Sequence, residues 1–130
     1  MEHMKKSLLS VALIATLLAG PSIIFAQQAN AAQQASKLGD LSSFVAIAGD
    51  TLLLVDKGDM KAAQVRITDF ETAWDKAESR LYAKDKSTWS VIDDAADAAI
   101  GSLRENSPSE IKAQKTVSAL IDALNHPVAE

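Results

Sequence analysis

The 130-residue chain contains no cysteine. No disulfide can staple it, and thiolate zinc sites, attached c-type haem and cysteine nucleophiles are excluded as well. Histidine is nearly missing too, with only His3 and His126 present. A carboxylate-bridged di-iron bundle needs a Glu-x-x-His pair on each of two helices. Here Glu71, Glu78, Glu105 and Glu110 are followed at the third place by Trp74, Leu81, Pro108 and Ala113. A b-type haem would have only Met60 and His126 as ligands, and in an up-down-up-down bundle these fall at opposite ends, roughly 25 Å apart at 1.5 Å per residue. Met60 reads instead as a gap filler, and His126 as a solvated group at a helix C-terminus.

Other chemistries fail on the same inventory. The five glycines are scattered singly, so no phosphate-cradling loop exists. There is no G-x-S-x-G elbow, and one histidine near a chain end is a poor general base. Bases are outnumbered, 13 against 17 acids for a net charge of −4, which disfavours nucleic acid and anionic lipid as partners. No enzymatic activity and no cofactor is expected.

Only one long apolar run occurs, "LLSVALIATLLA" at residues 8 to 19, preceded by Met4, Lys5 and Lys6. It has the length of a signal-peptide core. A membrane anchor would need ~20 uninterrupted apolar residues, and Gly20, Pro21 and Ser22 break this one. Ala29 and Ala31 form the small-x-small pattern read by signal peptidase, with Ala26 as a competing site. The expected organisation is a signal peptide over 1–31, a flexible lead-in over 32–39 and a helical domain over 40–130. The product would be a soluble periplasmic protein without a stable membrane anchor.

Periodicity predicts three helices plainly. From Asp59, residues Ala63, Ile67, Phe70, Trp74, Ala77 and Leu81 recur at alternating steps of four and three. Gly58 suits the C′ position of a preceding helix, and Asp59 can cap this one. Trp89, Ile92, Ala96, Ala99 and Leu103 form the next stripe, with Ser87 or Thr88 as the expected cap. In "SPSEIKAQKTVSALIDALNHP", Ser107 at N-cap, Pro108 at N1 and Glu110 at N3 would make a capping box, with Ala113, Val117, Leu120, Ile121 and Leu124 facing inward. The segment over 41–57 has two readings. As a helix it buries Leu41, Phe44, Ala48, Leu52 and Val55; as a hairpin it turns at Gly49-Asp50. The helix is favoured, because three amphipathic helices need a fourth apolar face to close a core. The expected fold is all-α, an up-down-up-down four-helix bundle.

The stretches "VRITDFETAWDKAESRL" and "TWSVIDDAADAAIGSLR" resemble uncharacterised small exported helical-bundle proteins of bacteria. The resemblance spans 59–124, rests on Trp74, Asp75, Trp89, Asp93, Asp97 and Arg104, and implies a helical fold with no activity. A shorter likeness of "LLVDKGDMKAA" to helical periplasmic segments of iron-uptake permeases transfers no binding residue.

One pattern invites chemistry. With Ile67, Trp74 and Leu81 at heptad position a, Glu71 and Glu78 take e while Arg66 and Arg80 take g. In the following helix Asp93 takes e and Asp97 the neighbouring b. Folding the chain back near Lys86 sets Glu78 opposite Asp93 and Glu71 opposite Ile100, with Asp75 and Asp97 just outside. The expected result is one acidic seam, neutralised in part by Lys76, Arg104, Lys112 or Lys115. Two functional expectations follow. The first is a non-catalytic periplasmic binding or interaction module, such as an accessory to a sensor or transporter protein. The second is a weak divalent-cation-binding protein that uses Glu71, Asp75, Glu78, Asp93 and Asp97 as oxygen ligands.

Overall fold

The computed structural model describes residues 37–128. The signal peptide expected over 1–31 and residues 32–36 of the expected lead-in lie outside the described residues. Four helices follow: α1 (Ser42–Asp56), α2 (Met60–Lys84), α3 (Lys86–Leu103) and α4 (Glu110–Asn125). The segment around Gly49-Asp50 is thus helical, and the hairpin alternative is set aside.

Local chemistry fixes where each helix stops. Gly58 adopts a φ of 78°, open to glycine at little cost. Its N–H bonds to the Val55 carbonyl at 2.9 Å, and the Asp59 N–H bonds to the Leu54 carbonyl at 2.9 Å. This is a Schellman closure of α1. Asp59 then caps α2, its carboxylate accepting from the Ala62 N–H at 3.1 Å.

Asp85 alone joins α2 to α3. It is extended, ends one helix and caps the next, accepting from the Thr88 N–H at 3.2 Å. Ser87 and Thr88 therefore do not cap α3, contrary to the sequence expectation. An acid closer to the turn takes that role, the helix begins earlier, and Thr88 turns fully inward. Trp89 consequently sits half-buried on the flank of the stripe. A second correction concerns α4. Ser109, not Ser107, caps it by accepting from the Lys112 N–H at 3.2 Å. Ser109 is extended, so Ser107 and Pro108 stay outside and Glu110 is the first helical residue.

Each helix packs on its neighbours in the chain, and α1 packs on α4. Phe44 meets both Phe70 and Trp74, while Asp50 further along α1 meets Arg66 nearer the start of α2, so these two helices run antiparallel. Helices α2 and α3 do likewise, through Trp74 with Asp93 and Gln64 with the Leu103 carbonyl. The Ser102 and Thr116 hydroxyls, 2.7 Å apart, join α3 to α4, and Gln114 donates to Asp56 at 3.0 Å to join α4 to α1.

The core contains Leu38, Phe44, Val55, Ile67, Phe70, Trp74, Leu81, Ile92, Leu103, Val117 and Leu120, among others. Leu38, near the end of the expected lead-in, is fully buried. Burying each such large side chain contributes about 1.5–3 kcal/mol. Thr51 takes the inward position expected of Leu52, since its hydroxyl donates to the Ile47 carbonyl at 2.9 Å within its own helix and costs the core no unpaired group. Among the described residues no helix is long and apolar enough to cross a membrane.

Candidate functional site

Two surfaces stand out from the ordinary polar exterior. The first is the seam between α2 and α3. Trp74 is 2% exposed and lies at the centre of an aromatic cluster. Its ring stacks near Phe70 at 5.9 Å and Trp89 at 6.4 Å, and meets Phe44 edge-on at 5.2 Å. Tyr82 closes the series against Trp89 at 5.4 Å, with Lys86 5.7 Å from the centre of the Tyr82 ring. The Trp74 indole N–H reaches out of this cluster to the Asp93 carboxylate at 3.0 Å. The indole nitrogen of Trp89 is also buried, without a partner among the described residues.

Asp93 is half-buried, and its surroundings oppose ionisation. Burial raises its pKa most; the Trp74 hydrogen bond works the other way, and the charges of Asp97, Glu78 and Asp94 add to the rise. Carboxylate oxygens of Asp93, Asp94 and Asp97 all lie within 4.8 Å of one another. No ion pair is made by any of the three among the described residues.

The expected seam is thus only partly assembled. Asp93 and Asp97 come together, and exposed Glu78 stands close enough to act on Asp93. Glu71 is drawn away: Arg104 holds it with bonds of 2.6 and 3.1 Å, and this pairing is the leading cause that lowers the Glu71 pKa. Asp75 is exposed and outside the group of three. Asp94 was missed because heptad lettering puts it on the outer face; the one-turn spacing of 93, 94 and 97 is the signal that finds it. Of the expected neutralising bases, Arg104 serves Glu71, and Lys112 is engaged by Glu105 at 2.7 Å. Met60 is half-buried against the core at the start of α2, and His126 is exposed at the C-cap of α4.

The second surface is the outward side of α1. Ser43, Ala46, Asp50, Leu53 and Lys57 lie along it at alternating steps of three and four, all exposed. Val45, Ile47, Leu52 and Leu54 flank them half-buried. Leu53 is 59% exposed. Beside it a shallow groove of about 300 Å³ is lined by Asp50, Leu53, Leu54, Lys57 and Arg66. The contrast with α2 is chemical. Its outward positions include Lys61, Asp69, Asp75, Lys76, Glu78 and Arg80, whereas α1 itself carries only Asp50 and Asp56 as charges. Sequence reasoning treated α1 as a core-closing element, and its excess of aliphatic residues over core positions was the available signal.

Comparison with family models, with curated proteins and with solved structures finds no match.

The seam makes a prediction about pH. A carboxyl whose pKa is higher in the fold than in the unfolded chain favours folding at pH values below its unfolded pKa, and that contribution is lost as pH rises through its folded pKa. Ionised Asp93 therefore weighs against the fold at neutral pH, and Asp93→Asn keeps an oxygen for Trp74 while removing the charge. Melting of both proteins at pH 7 and pH 4 should show the variant higher at pH 7 and the gap closing at pH 4. A variant that melts below wild type at pH 7, or an equal gap at both values, would contradict this account of Asp93.

Proposed function

We propose that the protein is a non-catalytic interaction module: an up-down-up-down bundle exported to the periplasm by a signal peptide over residues 1–31, as in the small exported helical-bundle proteins it resembles. The observation that carries this reading is the exposed pair Ala46 and Leu53 on α1, with half-buried aliphatic residues beside them. Among the described residues α1 is covered by α2, α4 and the core, while Ala46 and Leu53 stay exposed between the polar Ser43, Asp50 and Lys57. Leu53 and Ala46 face outward with aliphatic flanks on both sides. Isolated exposed apolar residues such as Ile111 need no such explanation; Leu53, exposed beside half-buried Leu52 and Leu54, forms a small patch. The partner would be a protein, in keeping with an accessory to a sensor or transporter.

The test is cross-linking in the producing cell with a photoreactive residue at position 46 or 53, and at 69 or 72 on the outward side of α2 as controls. Discrete adducts from α1 positions alone are expected. Adducts from no position, or equally from both helices, would defeat the reading.

A second reading draws support from the clustered carboxylates of Asp93, Asp94 and Asp97. Three acids one helical turn apart offer hard oxygen ligands suited to calcium or magnesium. Because a ligand bound only by the native state stabilises it, excess calcium should raise the melting temperature of wild type by several degrees and leave Asp97→Asn unmoved. Equal melting of both proteins with chelator and with calcium would retire the cation.

A further inference from the structure

Residues 104–109, between the end of α3 at Leu103 and the start of α4 at Glu110, form the longest connection between helices of the bundle. Asn106 and Ser107 stand in its middle, both exposed. Neither the Asn106 side-chain amide nor the Ser107 N–H makes a hydrogen bond among the described residues. Asparagine is one of the thermally labile residues of proteins. Its weak point is the backbone nitrogen of the next residue, which can reach the side-chain carbonyl carbon and close a ring where no regular structure holds the two apart. A small successor such as serine leaves that approach open.

Asn125 supplies the contrast within the same molecule. It is also exposed, but it is the last residue of α4, and the nitrogen that would attack it, that of His126, donates to the Asp122 carbonyl at 2.9 Å. The last helical turn must open and this bond must break before any attack, and histidine is a bulkier successor than serine. Such an opening has a free-energy cost that an exposed irregular link does not meet. The third asparagine, Asn30, lies outside the described residues.

We propose that Asn106 is a site of self-modification in the folded protein, passing through a cyclic imide with Ser107 to aspartate and isoaspartate. The Ser107 nitrogen gives up its proton and attacks Cγ of Asn106. A bond forms between that nitrogen and Cγ, the bond from Cγ to the side-chain nitrogen breaks, and the side-chain nitrogen leaves as ammonia with a proton. Water then opens the ring. Attack at Cγ restores the ordinary chain with an aspartate, whereas attack at the main-chain carbonyl of Asn106 leaves Ser107 linked through Cγ, an isoaspartate with a longer main chain. Amide and water become carboxylate and ammonium, and no electrons change hands.

The bundle can carry either product, because the neighbouring helix ends are secured by other groups. Gln64 donates to the Leu103 carbonyl at 2.6 Å, and Ser109 caps α4 through the Lys112 N–H at 3.2 Å. The new carboxylate adds a charge beside Glu105, which Lys112 holds at 2.7 Å. The modified chain stays folded and accumulates with age at one position.

The test is storage of the purified protein at mildly alkaline pH, followed by trypsin digestion and mass spectrometry. Cleavage after Arg104 and Lys112 isolates Asn106 in the peptide 105–112, and cleavage after Lys115 places Asn125 in the peptide 116–130. The first peptide should gain the mass of an amide-to-acid exchange and split into aspartate and isoaspartate forms, at least about tenfold faster than the second, as a modest opening cost at Asn125 requires. In denaturant that ratio should shrink, since α4 no longer shields Asn125. Ser107→Pro removes the attacking N–H and should leave Asn106 intact with unchanged helix content. Native Asn125 reacting as fast as Asn106, a ratio unchanged by denaturant, an Asn106 peptide that is modified in denaturant but not in the fold, or an acid product without isoaspartate would each overturn the proposal.

Discussion

The hydrogen bond from the Trp74 indole to Asp93 is the point on which the α2–α3 half of the bundle turns. A tryptophan at the centre of a small core brings more buried area than any other residue, but also an N–H that cannot be left dry and unpaired without cost. Phe44, Phe70 and Trp89 cover the ring, and a carboxylate one helix away takes the N–H. That arrangement sets the register of α3 against α2 and draws an acid partly out of water. The raised pKa of Asp93 follows from that position. No disulfide supports the fold, so it rests on packing around the aromatic cluster and on the caps at Gly58, Asp59, Asp85 and Ser109.

Two surfaces emerge from one requirement, that four short helices bury enough to be stable. Helix α1 achieves it with aliphatic residues that close the core and flank a mixed outward row, in which Ala46 and Leu53 are exposed beside Ser43, Asp50 and Lys57. Helix α2 achieves it with Phe70 and Trp74, and the Trp74 indole N–H draws Asp93 of α3 into the seam. The first solution leaves Ala46 and Leu53 exposed on α1. The second gathers Asp93, Asp94 and Asp97 without a base among them. Arg104 shows the contrast, since it settles on Glu71 and removes that acid from the group.

Much of the architecture was legible from periodicity. The stripe from Ala63 to Leu81 is buried at each position read for it, and Gly58 and Asp59 behave as their chemistry requires. The errors cluster at helix starts. Ser87, Thr88 and Ser107 are good capping residues, but Asp85 and Ser109 compete for the same task, and tertiary packing chose between them. In the packed α3, Thr88 lies on the core and Trp89 half-buried on its flank. The site was less legible, because heptad letters assign faces and not partners. They set Glu78 opposite Asp93, whereas the residue that bonds to Asp93 is Trp74, one turn away. They also say nothing about an outward face until the inward one is known, which is why the stripe through Ala46 and Leu53 emerged only from the packed bundle.

Hydrogen exchange at the two indole N–H groups, followed by NMR, tests the role of Trp74 most directly. A bonded N–H in the middle of the core opens only with the larger cooperative unit, so Trp74 should exchange as slowly as the best-protected backbone amides of α2. Trp89, half-buried and without a partner for its N–H among the described residues, should exchange faster. A Trp74 indole that exchanges as fast as an exposed side chain, while the α2 amides remain protected, would show that the Asp93 contact does not hold this half of the bundle.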